Sequence, residues 1–174
     1  MLFRSFLSRE VWIDKAYFDY HPACVEGLHV LGGKFSNPLD THSAGDLVWD
    51  SDLRVEGMAV THEHDFDSFA TTNLIAGGFW VDEEKSDDNL MLWGAQGSVT
   101  VPVEDVGHVM AGASYYFYDA DLSSRMPIVG AGGNRVAGGT YLEDFGIVEV
   151  FGEAEAKLAD NLKGTLYGSY VQNM

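Results

Sequence analysis

The 174 residues carry 27 Asp and Glu against 10 Lys and Arg, a formal charge of -17, with 20 glycines, 4 prolines, 10 Phe, 8 Tyr and 4 Trp. Such a surplus of acid repels DNA, RNA and anionic headgroups, so no nucleic acid is expected as a partner; secreted and halophilic proteins carry similar charge for solubility. Cys24 is the single cysteine, which excludes an internal disulfide and a cysteine metal cluster, and no run of 18 apolar residues offers a transmembrane helix.

The first run, MLFRSFLSREVWIDKAYF, is too polar and too short in its apolar stretch to read as a secretory signal. Alternation at a period of two then recurs along the chain. It predicts strands over 11–20, 27–35, 52–64 and 70–82. The glycines of the second invite a bulge. In the fourth, Ile75, Gly77, Phe79 and Val81 form the apolar side, diluted by Leu74 and Trp80. The fifth, 90–102, sets Met91, Trp93, Ala95, Val99 and Val101 on one parity and Gln96, Ser98 and Thr100 on the other. The sixth, 108–119, groups Val109, Ala111, Ala113, Tyr115 and Phe117. The seventh, 144–157, places Glu149, Glu153, Glu155 and Lys157 opposite Val148, Val150, Gly152, Ala154 and Ala156, and an eighth covers 162–173. A short amphipathic helix over 153–163 competes, because EAEAKLADNLK is rich in helix formers. Alternation begins upstream of it and resumes at TLYGSYVQ, which favours strand.

The connections alternate in length. Short turns fall at 21–26, 65–69, 103–107 and 158–161, and longer loops at 36–51, 83–89 and 120–143. In an antiparallel meander successive connections lie at opposite ends, so the short ones collect at one end and the long ones at the other. That layout belongs to an outer-membrane barrel. Tilted by about 45°, strands of roughly 9–11 residues cross a hydrocarbon layer, and those expected here exceed the usual five or six residues of soluble sheets by several. The expected fold is therefore all-β: one domain over 1–174, an antiparallel meander of about eight strands within a transmembrane β-barrel. The small apolar side of 148–158 then meets lipid. Gln96, Ser98, Thr100, Glu149, Glu153, Glu155 and Lys157 become the pore-facing candidates, with the carboxylates ionised in a wet lumen. The run Tyr115, Tyr116, Phe117, Tyr118 reads as an interfacial girdle. A soluble sandwich reverses these roles, with Val148, Val150 and Leu158 in a core.

The runs VWIDKAYFDYHP, GGKFSNPL followed by LVWDSDLRVEGMAV, LWGAQGSV and DFGIVEVFGEAEAKL resemble the Putative porin family of Gram-negative outer-membrane β-barrels. The resemblance extends from Phe6 to Asn173 and is most specific over 32–60. It implies a barrel of about sixteen strands that passes small hydrophilic solutes passively, is not an enzyme and needs no cofactor. It further implies a cell outer membrane setting, with the lipid bilayer and lipopolysaccharide as surroundings and a homo-oligomer as a possible assembly. Lys34, Asn37, Pro38, Trp49, Asp50, Asp52, Glu56 and Gly57 match the pattern and read as structural, shaping a loop and its strand ends. Family members carry a secretory signal and about twice as many strands. Strand 11–20 starts, and strand 162–173 finishes, at the long-loop side, so the chain reads as an internal piece. At least one strand is expected upstream and an odd number downstream.

Other motifs point elsewhere more weakly. His62 and His64 share one strand face and offer two imidazoles at i,i+2 for zinc, but spacing supplies no third ligand. VDEEKSDDN, 81–89, lacks the ligand order of an EF-hand. PIVGAGGNRVAGG, 127–139, lacks both GxxxxGK[ST] and GxGxxG and precedes no periodic helix, so it reads as an external loop. Two functions from other classes stay open: a secreted β-sandwich binding glycans through Trp49, Trp80 and Trp93, and a small metal-dependent enzyme around His62 and His64. If the barrel holds, Glu149, Glu153 and Glu155 outnumber Lys157 on its wall and give a weak cation preference.

Overall fold

Valine, threonine and aromatic residues at alternating positions suit a pleated ladder, where branched and ring side chains stand clear of the backbone. The computed structural model describes residues 13–39, 48–49, 52–67, 69–82, 90–119, 136–137, 140–141 and 145–174, and the regular elements among them are all strands. They are β1 (Ala16–Tyr20), β2 (Leu28–Ser36), β3 (Arg54–Asp65), β4 (Thr71–Asp82), β5 (Leu90–Val103) and β6 (Gly107–Asp119), then a two-residue pair, β7 (Val136–Ala137) and β8 (Thr140–Tyr141), and finally β9 (Phe145–Ala159) and β10 (Leu162–Asn173). Eight of them make one sheet in the order β1-β2-β3-β4-β5-β6-β9-β10, every pair antiparallel. No helix occurs among the described residues. Residues 153–163, the one place where helix competed, are the end of β9, a turn at Asp160 and Asn161, and the start of β10. Of the strand expected over 11–20, Ala16–Tyr20 is extended, while 11 and 12 lie outside the described residues.

Connections of 21–27, 66–70, 104–106 and 160–161 share one end of the sheet. Their chemistry suits tight reversal. Asp67 and Asp105 adopt φ of 44° and 59°, a conformation that Asp tolerates better than most side chains. The Val106 amide donates to the Val103 carbonyl at 3.0 Å, and that of Phe69 to Phe66 at 2.9 Å. Gly27, at φ 72°, closes the first turn against β3, where a Cβ would collide with the Glu63 carbonyl oxygen. The strand ends that border 37–53, 83–89 and 120–144 are at the other end.

Because side chains alternate across the pleat, the register assigns two faces to the whole sheet. One face is covered: Leu39 and Trp49, from the connection between β2 and β3, pack on Phe35, Val55, Ala59, Ile75, Phe79, Leu92 and Tyr116. Burying each large side chain in this cluster contributes about 1.5–3 kcal/mol. The other face is bare. Leu74 and Trp80 stand on it while Ile75 and Phe79 turn to the covered side, so β4 is apolar on both faces for two separate reasons.

Candidate functional site

The bare face carries an uninterrupted apolar band. Across the ladder, Met58 stands beside Gly78, Gly78 beside Trp93 and Trp93 beside Phe117. A second row runs Val60, Ala76, Ala95, Tyr115 and Val148, and a third runs Val99, Ala111, Gly152 and Gly168. The large members remain open to solvent, Trp93 at 50%, Val150 at 52% and Leu166 at 77%. Isolated apolar residues on a surface are ordinary, but a contiguous field of them marks an interaction surface, for protein or for membrane. The Trp93 ring lies over Gly78, where a Cβ would stand 2.6 Å from it.

The covered face divides into two halves. Toward the long connections it is packed and nearly dry. Asn37 Oδ1 accepts from the Leu39 amide at 3.1 Å, forming an Asx-type turn, and Leu39 is then wholly buried. Its carbonyl accepts from Gln96 Nε2 at 2.8 Å, and the same nitrogen donates to Ser114 Oγ at 2.9 Å. Trp49 meets the Tyr116 ring edge-on, centroids 5.0 Å apart, and Tyr116 Oη donates to Glu149 Oε2 at 2.8 Å. The connection after β2 is thereby tied to β5, β6 and, through Tyr116, to β9.

Toward the short turns the same face is polar and open. Thr100 opposes Met110, which opposes Glu153; Pro102 opposes His108, which opposes Glu155. His108 Nε2 lies 3.5 Å from Glu153, Lys163 Nζ lies 2.7 Å from Glu155, and Lys157 lies 3.1 Å from Asp160.

All seven candidates for the polar wall, Gln96, Ser98, Thr100, Glu149, Glu153, Glu155 and Lys157, stand on this covered face. Their environments differ from a uniformly wet wall. Gln96, Ser98 and Glu149 are buried; Gln96 bonds the Leu39 carbonyl of the β2–β3 connection and Glu149 the Tyr116 hydroxyl. The expectation that Glu149 is solvated is thus corrected: it is 0% exposed and holds the Tyr116 hydroxyl. The tyrosine run is corrected as well. Alternation sends Tyr115 and Phe117 to the bare face and Tyr116 and Tyr118 to the covered one.

Among the positions marked as structural, Asn37 and Trp49 are buried in the covering segment, and Pro38 lies between Asn37 and the buried Leu39. Gly57 faces Gly33 and Phe79 across the ladder at φ 157°, where a Cβ would run into the Gly78 carbonyl. Lys34 and Glu56 oppose each other in register. Asp52 is exposed, and its carbonyl accepts from Arg54 Nη1 at 2.8 Å. Asp50 lies outside the described residues, as do most of the 81–89 run and of the glycine-rich run 127–139.

Trp49 stands on the covered face, and Trp80 and Trp93 on the bare one, so the three form no common platform for a glycan. His62 and His64 lie on the bare face with rings 6.2 Å apart and nearly parallel, and no third ligand joins them among the described residues. Sequence reasoning missed two groups: Leu39 with Tyr116, and Asp19 with His21 and His29. Leu39 had one signal, an apolar residue directly after the Asn37-Pro38 loop start.

Compared with known proteins, residues 2–129 match the model of a family described as Putative porin. Neither the curated proteins nor the solved structures contain a match.

Proposed function

The chain belongs to the Putative porin family, and on that premise we propose that its sheet is part of the wall of an outer-membrane β-barrel through which small hydrophilic solutes diffuse passively. One observation carries this: the bare, continuous apolar face on the strands β3 to β6, β9 and β10, of 12–15 residues each. Twelve residues rise roughly 40 Å, and a tilt of about 45° reduces that to roughly 28 Å, close to the thickness of a hydrocarbon core. Valine, alanine and glycine on that face suit lipid, which needs no interdigitating second layer. Trp80, Trp93 and Phe117 near the long-connection end suit the headgroup boundary.

The remaining parts of the proposal follow from what lipid demands. β1 and β10 each pair on one side only among the described residues, and an open edge in hydrocarbon leaves backbone groups unsatisfied at several kcal/mol each. Further strands therefore complete the wall, about sixteen in all. The bilayer and lipopolysaccharide contact the bare face, and contacts between barrels build any homo-oligomer. The covered face lines the lumen. Its dry half narrows the passage and its acidic half sets the field there, where Glu63, Asp65, Glu153 and Glu155 outnumber Lys157 and Lys163. A weak cation preference results. No catalytic step belongs to this reading.

The test is reconstitution of the full natural protein into liposomes and planar bilayers. Expected are detergent-dependent extraction from membranes, swelling with small sugars, and a reversal potential of cation sign in a salt gradient at neutral pH. Recovery in the aqueous phase after lysis without detergent would sink the pore; anion preference would sink the charge assignment alone.

A further inference from the structure

Where β1 turns into β2, three side chains meet that the pore does not use. Asp19 opposes Leu31 in register, and Leu31 packs toward the covered cluster, so Asp19 stands on the covered face. His29 shares that face two residues before Leu31, and His21 follows Asp19 by two. Asp19 Oδ2 lies 3.2 Å from His21 Nε2, and Asp19 Oδ1 lies 3.2 Å from His29 Nδ1. The two imidazole rings stand 3.9 Å apart at 59°. Ligand atoms from all three residues lie within 4.8 Å of one another.

Tetrahedral zinc, with bonds of about 2.0–2.1 Å, holds its ligand atoms roughly 3.4 Å apart. Both carboxylate-to-imidazole separations are close to that value. A single Asp–His hydrogen bond accounts for one pair. It gives no reason for a second imidazole to crowd the same carboxylate, where His29 Nδ1 also lies 3.3 Å from the Oδ2 that His21 meets, with the rings themselves in contact. Two imidazoles and one carboxylate are donors that suit zinc and its neighbours in the first transition row. The side chains of Asp19, His21 and His29 are partly exposed, at 32%, 58% and 38%, which leaves room for water at the remaining coordination positions. His62 and His64 differ on each count: their rings are nearly parallel at 6.2 Å and no carboxylate joins them among the described residues.

We propose that Asp19, His21 and His29 form a three-ligand site for a divalent transition-metal ion. The bound ion joins the end of β1 to the start of β2 across the 21–27 turn and so fixes a five-residue edge strand to its neighbour. The site lies at the short-turn end of the covered face, and its existence does not depend on the pore.

Zinc titration of the full protein in detergent, read by calorimetry against a competing chelator, tests it. One saturable equivalent is expected, weakened at least tenfold by His21→Ala, by His29→Ala or by Asp19→Asn, and unchanged in a His62→Ala/His64→Ala variant. In the unaltered protein, zinc should shield His21 and His29 from diethyl pyrocarbonate while His62 and His64 still react, a readout that needs no variant to fold. Absence of a saturable equivalent, an equivalent that survives His21→Ala with His29→Ala, or equal shielding of all four histidines would each overturn the site.

Discussion

The two halves of the covered face share strands, register and alternation, yet one is dry and the other wet. Toward the long connections the face buries Phe79, Tyr116, Leu39 and Glu149 almost completely. Toward the short turns the same strands present Thr100, Glu153, Glu155 and Lys163, each with access to solvent. The strands supply rings such as Phe79 and Tyr116 to one half and polar side chains to the other, but backbone pairing does not separate them. What separates them is the arrival of Leu39 and Trp49, held by Asn37 and by Gln96. A strand pattern decides which side a residue points to; a distant loop decides whether that side is dry.

The largest expected effect tests this division within one strand. Phe79→Ala removes a ring from the dry half and is expected to cost about 3–5 kcal/mol, whereas Thr71→Ala, on the same face of β4 in the wet half, is expected to cost under roughly 0.5 kcal/mol. Denaturant unfolding in micelles compares the two, and equal losses would mean that the halves do not differ in packing. Trp49→Ala should destabilise by a comparable amount, about 3–5 kcal/mol. Because it also uncovers Tyr116, single-channel conductance should rise; unchanged conductance would show that the covering segment does not narrow the passage.

A smaller effect concerns the polar pair inside the dry half. Tyr116→Phe leaves the ring against Trp49 but withdraws the hydroxyl from Glu149, a loss expected at about 1–3 kcal/mol because the carboxylate stays buried. Tyr116→Phe combined with Glu149→Gln should recover part of it in a double-mutant cycle. The smallest effect lies in the wet half. Lys163→Ala removes the partner of Glu155, an exposed pair worth about 0.2–1 kcal/mol that weakens with salt. Stability should scarcely change, while the reversal potential moves toward stronger cation preference. A large stability loss there would erase the contrast between the halves.

The limits of sequence legibility follow the same division. The strands were legible because the period of two is local, and β5, β6 and β9 show their faces directly in Met91 to Val101, Val109 to Phe117 and Val148 to Ala156. β4 was not legible in this way: Ile75 and Phe79 are apolar to meet a loop residue about forty positions earlier in the chain, while Leu74 and Trp80 are apolar on the bare side. The burial of Glu149 escaped for the same reason, since it depends on Tyr116, which Trp49 covers. Four consecutive aromatic residues at 115–118 suggested one girdle, although a strand must divide them between its faces. Asp19, His21 and His29 meet only through the register of β1 on β2 across a seven-residue turn, and spacing along the chain encodes no such register.

Every strand of the main sheet bonds to the strand next before it in the chain, the small β7–β8 pair aside, and this has a consequence for how the sheet is assembled. Each hairpin at the short-turn end closes across seven residues or fewer, a loop that forms in about 10–100 ns and costs little entropy. Growth by adding one hairpin at a time therefore needs no distant encounter. It also makes each strand the template for the next, and an error is inherited. A slip of one residue in an early hairpin turns every later side chain over, sending Trp93 or Val150 to the covered face and Glu153 to the bare one. The short turns at Asp67, Asp105 and Asp160 are where that error is prevented, so lengthening one by a single residue should harm assembly more than a far larger insertion in 120–144.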